Sequence, residues 1–135
     1  MSTVQFRVRY QETDGMGIVH HSVYLIWFEA GRTEWMREHQ LPYRECEAKG
    51  WMLPLVESGC KYLSPAYYDD LVAVETVMEP SSGVEFAFSY TVRNVETGKI
   101  LATGFTKHVC VNSTNFKIDK QGTKALKEFF SQIGS

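Results

Sequence analysis

Between Tyr10 and Tyr24 the sequence reads YQETDGMGIVHHSVY, and this stretch gathers residues able to do chemistry. Two carboxylates, Glu12 and Asp14, are followed by Gly15 and Gly17 and then by adjacent histidines, His20 and His21. Glycines bury no side chain and cost backbone entropy, so two of them here mark a tight turn where the backbone comes close to something. The turn feeds an apolar run at helical spacing, which sets exposed helix-start amides beside a carboxylate. Amides aimed at a carbonyl oxygen stabilise the charge that develops on it, and a carboxylate alongside can attack the carbon or take a proton from water. The bland reading is that the acid serves an Asx-turn or a helix cap, with the histidines on the surface.

The same residues resemble the signature of the 4-hydroxybenzoyl-CoA thioesterase family, whose members have the hotdog fold. The matching positions are Tyr10, Glu12, Asp14, Gly17, Val19, His21 and Tyr24, followed by Trp27, Phe28, Glu29, Ala30 and Arg32. A second family-like segment, KYLSPAYYDD, runs from Lys61 to Asp70. The resemblance implies an α+β hotdog domain over residues 1–135, an antiparallel β-sheet wrapped around one long central α-helix. It implies hydrolysis of an acyl- or aryl-CoA thioester, with Asp14 as nucleophile or general base and backbone amides near His21 as the oxyanion site. His21 and Tyr10 are then the further catalytic candidates, orienting Asp14, the substrate or a water. Gly17, Val19, His20 and Tyr24 are the candidate substrate-binding residues, while Glu12 is read as capping or positioning the turn. No cofactor is expected, and the acyl group can be carried by CoA or by an acyl-carrier protein. The resemblance also implies a homo-oligomer, a dimer or dimer of dimers, with the pocket between subunits.

Two other functions stay open at this level. One is hydration or dehydration of a hydroxyacyl thioester on the same fold; such enzymes resemble one another in a helix-start histidine followed by proline, where this chain has GIVHHS. The other is a non-catalytic acyl-CoA binding module, against which the presence of Asp14 speaks.

The elements that must hold these residues are legible as patterns. Residues 3–10 alternate, with Val4, Phe6, Val8 and Tyr10 on one face, which predicts a half-buried strand ending at Tyr10. A helix is predicted from an N-cap at Ser22 to about Gln40, apolar over most of its circumference through Tyr24, Leu25, Ile26, Trp27, Phe28, Trp35 and Met36. Gly31 in its middle implies a close approach by a sheet or a neighbouring subunit, and Glu29 and Arg32 are spaced to pair across one turn. Pro42 ends the helical region, and residues 43–50 predict a short second helix stopped by Gly50. Strands are predicted over 51–63, 71–78, 84–92 and 100–111, with turns at Pro80–Gly83 and Glu96–Gly98. Gly59 inside the first of these points to a bulge or a close approach, and residues 122–133 predict a closing amphipathic helix.

Composition narrows the function classes. At 135 residues with 44% hydrophobic and 22% charged residues, the chain reads as one globular domain with a core that needs no staples. A net charge of −2 argues against nucleic acid as the main partner, since phosphate binding usually needs a basic excess. Lysines of the C-terminal third, Lys107, Lys117, Lys120, Lys124 and Lys127, are candidates for meeting CoA phosphates, although a solvated face is the ordinary role of such residues. Three cysteines, Cys46, Cys60 and Cys110, are odd in number and lack metal-ligand spacing, so they read as reduced spectator thiols. No metal site is expected. His39 and His108 fall outside the motif and read as structural. The N-terminal MSTVQFRVRY does not read as a signal peptide, and the apolar run Val23–Phe28 is too short to span a bilayer; the expectation is a cytoplasmic protein that does not enter the membrane.

Overall fold

The computed structural model describes residues 1–41, 43–81 and 83–133, with the backbone alone at Tyr43. Strand β1 (Ser2–Arg7) is followed by a single 3-10 turn at Tyr10–Glu12 and the long helix α1 (Val23–Glu38). Helix α2 (Tyr43–Ala48) leads to β2 (Trp51–Met52) and β3 (Leu55–Tyr62), then β4 (Leu71–Glu79), β5 (Glu85–Asn94), β6 (Ile100–Val109), β7 (Val111–Asn112) and α3 (Lys120–Ser131). Five strands form one antiparallel sheet in the order β1-β4-β5-β6-β3, while β2 and β7 pair separately. The sheet packs on α1, in agreement with the α+β architecture expected from the sequence.

Alternation in the strands decides which face meets the helix. On β5, Phe86, Phe88, Tyr90 and Val92 are buried while the residues between them are half-exposed. Phe28 of α1 stacks on Tyr90 with centroids 4.5 Å apart, and Trp35 meets Phe88 edge-on. Gly31 lets the helix lie this close. A Cβ there would come within 2.8 Å of the Val74 Cγ1 on β4, so the neighbour inferred for this glycine is the chain's own sheet. Gly59 answers in the same way: a Cβ would lie 3.0 Å from Cζ of the Phe105 ring, so close approach is its role, and the register shift of β3 falls earlier, between Leu55 and Glu57.

Several expectations are corrected. The first strand stops at Arg7, because Val8 turns away to exchange backbone hydrogen bonds with Asp69 and Asp70, and Tyr10 enters the 3-10 turn. Ser22 stands at the N-cap position but makes no capping bond, its hydroxyl lying 2.8 Å from His20 Nδ1 instead. Leu25 and Ile26, expected on an enclosed face, are 43% and 58% exposed in the protomer. Residues 51–63 are two strands, since the segment at Leu53–Pro54 separates β2 from β3, and residues 100–111 split likewise at Cys110 into β6 and β7. The closing helix starts two residues earlier than expected, capped by Asp119, whose carboxylate accepts from the Gly122 N–H at 2.7 Å. Glu29 does not pair with Arg32, which donates instead to the Tyr90 hydroxyl at 3.2 Å. Gly50 follows α2 with φ +72°, as a helix stop requires. Pro42 and part of the Pro80–Gly83 turn lie outside the described residues.

Candidate active site

The turn after β1 is built around two carboxylates with different tasks. Glu12 is buried, and its oxygens accept from the Arg9 backbone N–H at 2.8 Å, the Trp27 indole N–H at 3.0 Å and the Arg9 guanidinium at 3.4 Å. Burial pushes its pKa up, but these donors outweigh it and leave the group below the ordinary carboxylate range. Its carbonyl also accepts the His20 N–H at 2.9 Å. Glu12 thus ties the turn to the flank and the second turn of α1.

Asp14 is held differently. Its Oδ1 accepts from the Met16 N–H at 2.7 Å and, more weakly, from the Ile18 N–H at 3.4 Å, an Asx-turn that Gly17 completes with φ +81°. Backbone bonds from Asp14 N–H to the Ile18 carbonyl and from Val19 N–H to the Ala66 carbonyl fix the loop on both sides. Oδ2 has no donor among the described residues. The carboxylate therefore has one oxygen anchored and one presented. The Asx-turn expected as the ordinary role of this acid is present, and it occupies only one of the two oxygens.

At the start of α1, the Ser22 N–H donates to His20 Nδ1 at 3.2 Å, and the Val23 and Tyr24 N–H groups close back on the His20 and His21 carbonyls. The His21 N–H, just ahead of the helix, has no acceptor among the described residues. Its carbonyl is fixed from the sheet edge, where the Tyr62 hydroxyl donates to it at 3.1 Å. The His21 ring stacks on His20 with centroids 4.2 Å apart and makes no hydrogen bond to Asp14. Tyr10 is 75% exposed and meets Tyr68 edge-on. Gly17 and His20 are exposed, whereas Val19 and Tyr24 are buried. Tyr24 packs against Trp27 and Tyr62, and burial, with Cys60 and Tyr62 nearby, pushes its phenol up to about 12.

The thiols sit in surroundings that disfavour a thiolate, Cys60 beside Tyr24 and Tyr62 included. Burial raises all three, and Cys110 is pushed up to about 11, with Asp119 and Cys46 adding to it. Among the described residues no group of three or more His, Cys, Asp or Glu side chains is placed to hold a metal ion. No described helix is long and apolar enough to cross a membrane. Lys107 pairs with Glu57 at 3.5 Å, and Lys127 donates to the Ser81 carbonyl at 3.3 Å.

Sequence reasoning missed one buried polar group. Arg32, Tyr90, Thr106 and His108 form a hydrogen-bonded line from α1 through the sheet to the Leu53 carbonyl. The residues are scattered over the chain, and only alternation placing a Tyr, a Thr and a His on inward positions of β5 and β6 hints at it.

An antiparallel sheet laid on one long helix, with an acid-bearing turn at that helix's start, defines a hotdog-fold thioester hydrolase. The chain belongs to the thioesterase-like superfamily, whose family profile matches residues 8–130. It is 34% identical over 87% of its length to a Bacillus subtilis protein, YneP, provisionally named an acyl-CoA thioesterase, of which it covers 84%. With the acyl-CoA thioester hydrolase YbgC of Escherichia coli the identity is 28%, covering 87% of this chain and 90% of that one. The DHNA-CoA thioesterase of Staphylococcus aureus superposes with a TM-score of 0.87 at 28% identity, over 98% of this chain and 89% of that one.

Proposed function

We propose that the protein hydrolyses the thioester of an acyl- or aryl-CoA, with Asp14 as nucleophile or general base and the His21 amide in the oxyanion site. The observation that carries this reading is the division of labour within Asp14. Oδ1 is anchored by the turn, and Oδ2 is free to meet a carbonyl carbon or a water. As nucleophile, Asp14 forms a mixed anhydride and expels the CoA thiolate, and water then hydrolyses the anhydride. As base, it takes the proton of a water that attacks the carbonyl directly. In both routes the negative oxygen needs a donor, and the uncommitted His21 N–H supplies one.

In this reading Gly17 and His20 border the bound thioester, Val19 and Tyr24 form the floor beneath the turn, and Tyr10 and the His21 ring face the substrate from its rim. CoA is the carrier we favour, with acyl-carrier protein as the alternative, and the chain acts as one hotdog domain over residues 1–135 in the cytoplasm. The working unit is a homo-oligomer, at least a dimer. Its support is the edge strand β3, which exposes Leu55, Val56 and Tyr62, together with Leu25 and Ile26 on α1.

The test is Asp14→Asn, assayed by free-thiol release across a panel of acyl-CoAs. The amide oxygen can still accept from Met16, so the turn and the binding of an uncleavable acyl-CoA analogue should survive. Turnover should fall at least about a hundredfold, as loss of a base or nucleophile demands. Near wild-type turnover in a folded variant would remove Asp14 from the mechanism.

A further inference from the structure

A cavity of about 360 Å³ lies beside the second half of α1, lined by Met36, Leu53 and Leu126 with Arg32 on its helix side. Arg32 is half-buried, and no carboxylate among the described residues pairs with it. Glu29 and Glu47 also border the cavity, but both are exposed at its rim. A half-buried cation thus shares the cavity with apolar side chains, with Thr33 and with two exposed carboxylates.

The way Arg32 is held fixes what it can offer. Arginine only donates and a carbonyl only accepts, so the hydrogens of the buried line run one way. Arg32 donates to Tyr90 at 3.2 Å, Tyr90 to Thr106 at 2.6 Å, Thr106 to His108 Nε2 at 3.0 Å, and His108 Nδ1 to the Leu53 carbonyl at 3.2 Å. The line pins the guanidinium by a single N–H and leaves its remaining donors for a ligand.

The cavity and the start of α1 share one face of the helix. Ser22, Leu25, Ile26, Glu29 and Arg32 recur at helical spacing on one face, and the exposed Leu25 and Ile26 make an apolar track over the first part of the path, with Glu29 bordering the cavity beyond them. His21 and Arg32 are eleven residues apart, about 16 Å along the axis, and long helical side chains lean back by about a turn, which leaves about 10 Å.

We propose that this cavity takes the far end of the acyl group, and that Arg32 is a specificity residue for acyl groups ending in a hydrogen-bond acceptor, a carboxylate above all, about 10 Å from the thioester carbonyl. This rests on the reading that the thioester sits at the start of α1. An apolar track alone accepts any chain of that length; a fixed, unpaired guanidinium at its end rewards the chain that brings an acceptor and leaves Arg32 stripped of water by one that does not.

The experiment compares kcat/KM for pairs of acyl-CoAs of equal length, one methyl-ended and one carboxyl-ended, on wild type, Arg32→Met and Arg32→Lys. At the matching length the wild type should prefer the carboxyl-ended partner by about tenfold or more, and the preference should vanish for acyl groups too short to reach. Arg32→Met should collapse the ratio, chiefly through KM of the carboxyl-ended substrate, and Arg32→Lys should restore part of it. A purely structural role for Arg32 lowers both substrates together and leaves the ratio intact. An unchanged ratio in Arg32→Met, or no length-dependent preference in the wild type, overturns the proposal, and the wild-type measurement stands even if the variant fails to fold. Asp14→Asn lowers both substrates alike, so failure of the Asp14 reading shows in a different variant from failure of this one.

Discussion

The Glu12 carboxylate accepts the indole N–H of Trp27 at 3.0 Å, joining the acid-bearing turn to the second turn of α1. Glu12 is also largely buried, so this bond and the two from Arg9 help make its charge tolerable there.

Glu12→Gln should therefore cost about 1–3 kcal/mol of stability, read from the midpoint of urea unfolding. The folded pKa lies below the unfolded one, so the carboxylate's contribution is complete above the unfolded value and is lost as pH falls through the folded value. That part of the acid sensitivity should vanish in the Gln variant. An equal stability and an unchanged pH slope would show the bonds to be idle.

His108 gives a second acid sensitivity, at higher pH. Burial and the nearby Arg32 lower its pKa from 6.5 to about 4, although its bond to the Leu53 carbonyl opposes them. The unfolded chain then binds a proton that the folded one refuses, so stability falls as pH drops from about 6.5 to about 4, by up to roughly 3 kcal/mol. His108→Asn should be less stable at neutral pH and should flatten that window. An undiminished slope would assign it to other groups.

Gly31→Ala separates helix propensity from packing. In an exposed helix the change would stabilise by about 1 kcal/mol. Here the added methyl meets Val74 at 2.8 Å and Thr76 of β4, so thermal unfolding should show a net loss of about 1–3 kcal/mol. A gain would mean that the sheet yields to the helix freely.

The exposed β3 edge gives the oligomer prediction. Light scattering at micromolar concentration should report a dimer or larger, and Leu55→Lys with Val56→Lys should shift it towards monomer with loss of turnover. A fully active wild-type monomer would remove the interface from the mechanism.

The strands were legible because alternation in sequence becomes inside and outside in a sheet, and β5 keeps that rhythm without a lapse. The Asp14 turn was legible because only glycine accepts the φ that Gly17 adopts without strain. Tyr10 misled, since alternation continues through it although the backbone has already left the sheet at Val8. Spacing allowed Arg32 a partner at Glu29, but the choice was made by Tyr90, 58 residues away and buried where an extra donor counts for more. Relations of that kind depend on register between strands, which no local pattern encodes.

The difference in sequence separation has a consequence for how the chain acquires its form. Turn and helix are tied to each other across the 15 residues from Glu12 to Trp27, whereas the β1 register joins Ser2 to Thr76. Closing the short loop costs less chain entropy than closing the long one. A chain emerging from the ribosome can thus join Glu12 to Trp27 well before β4 arrives to receive the first strand, and β1 spends that interval as an unpaired edge.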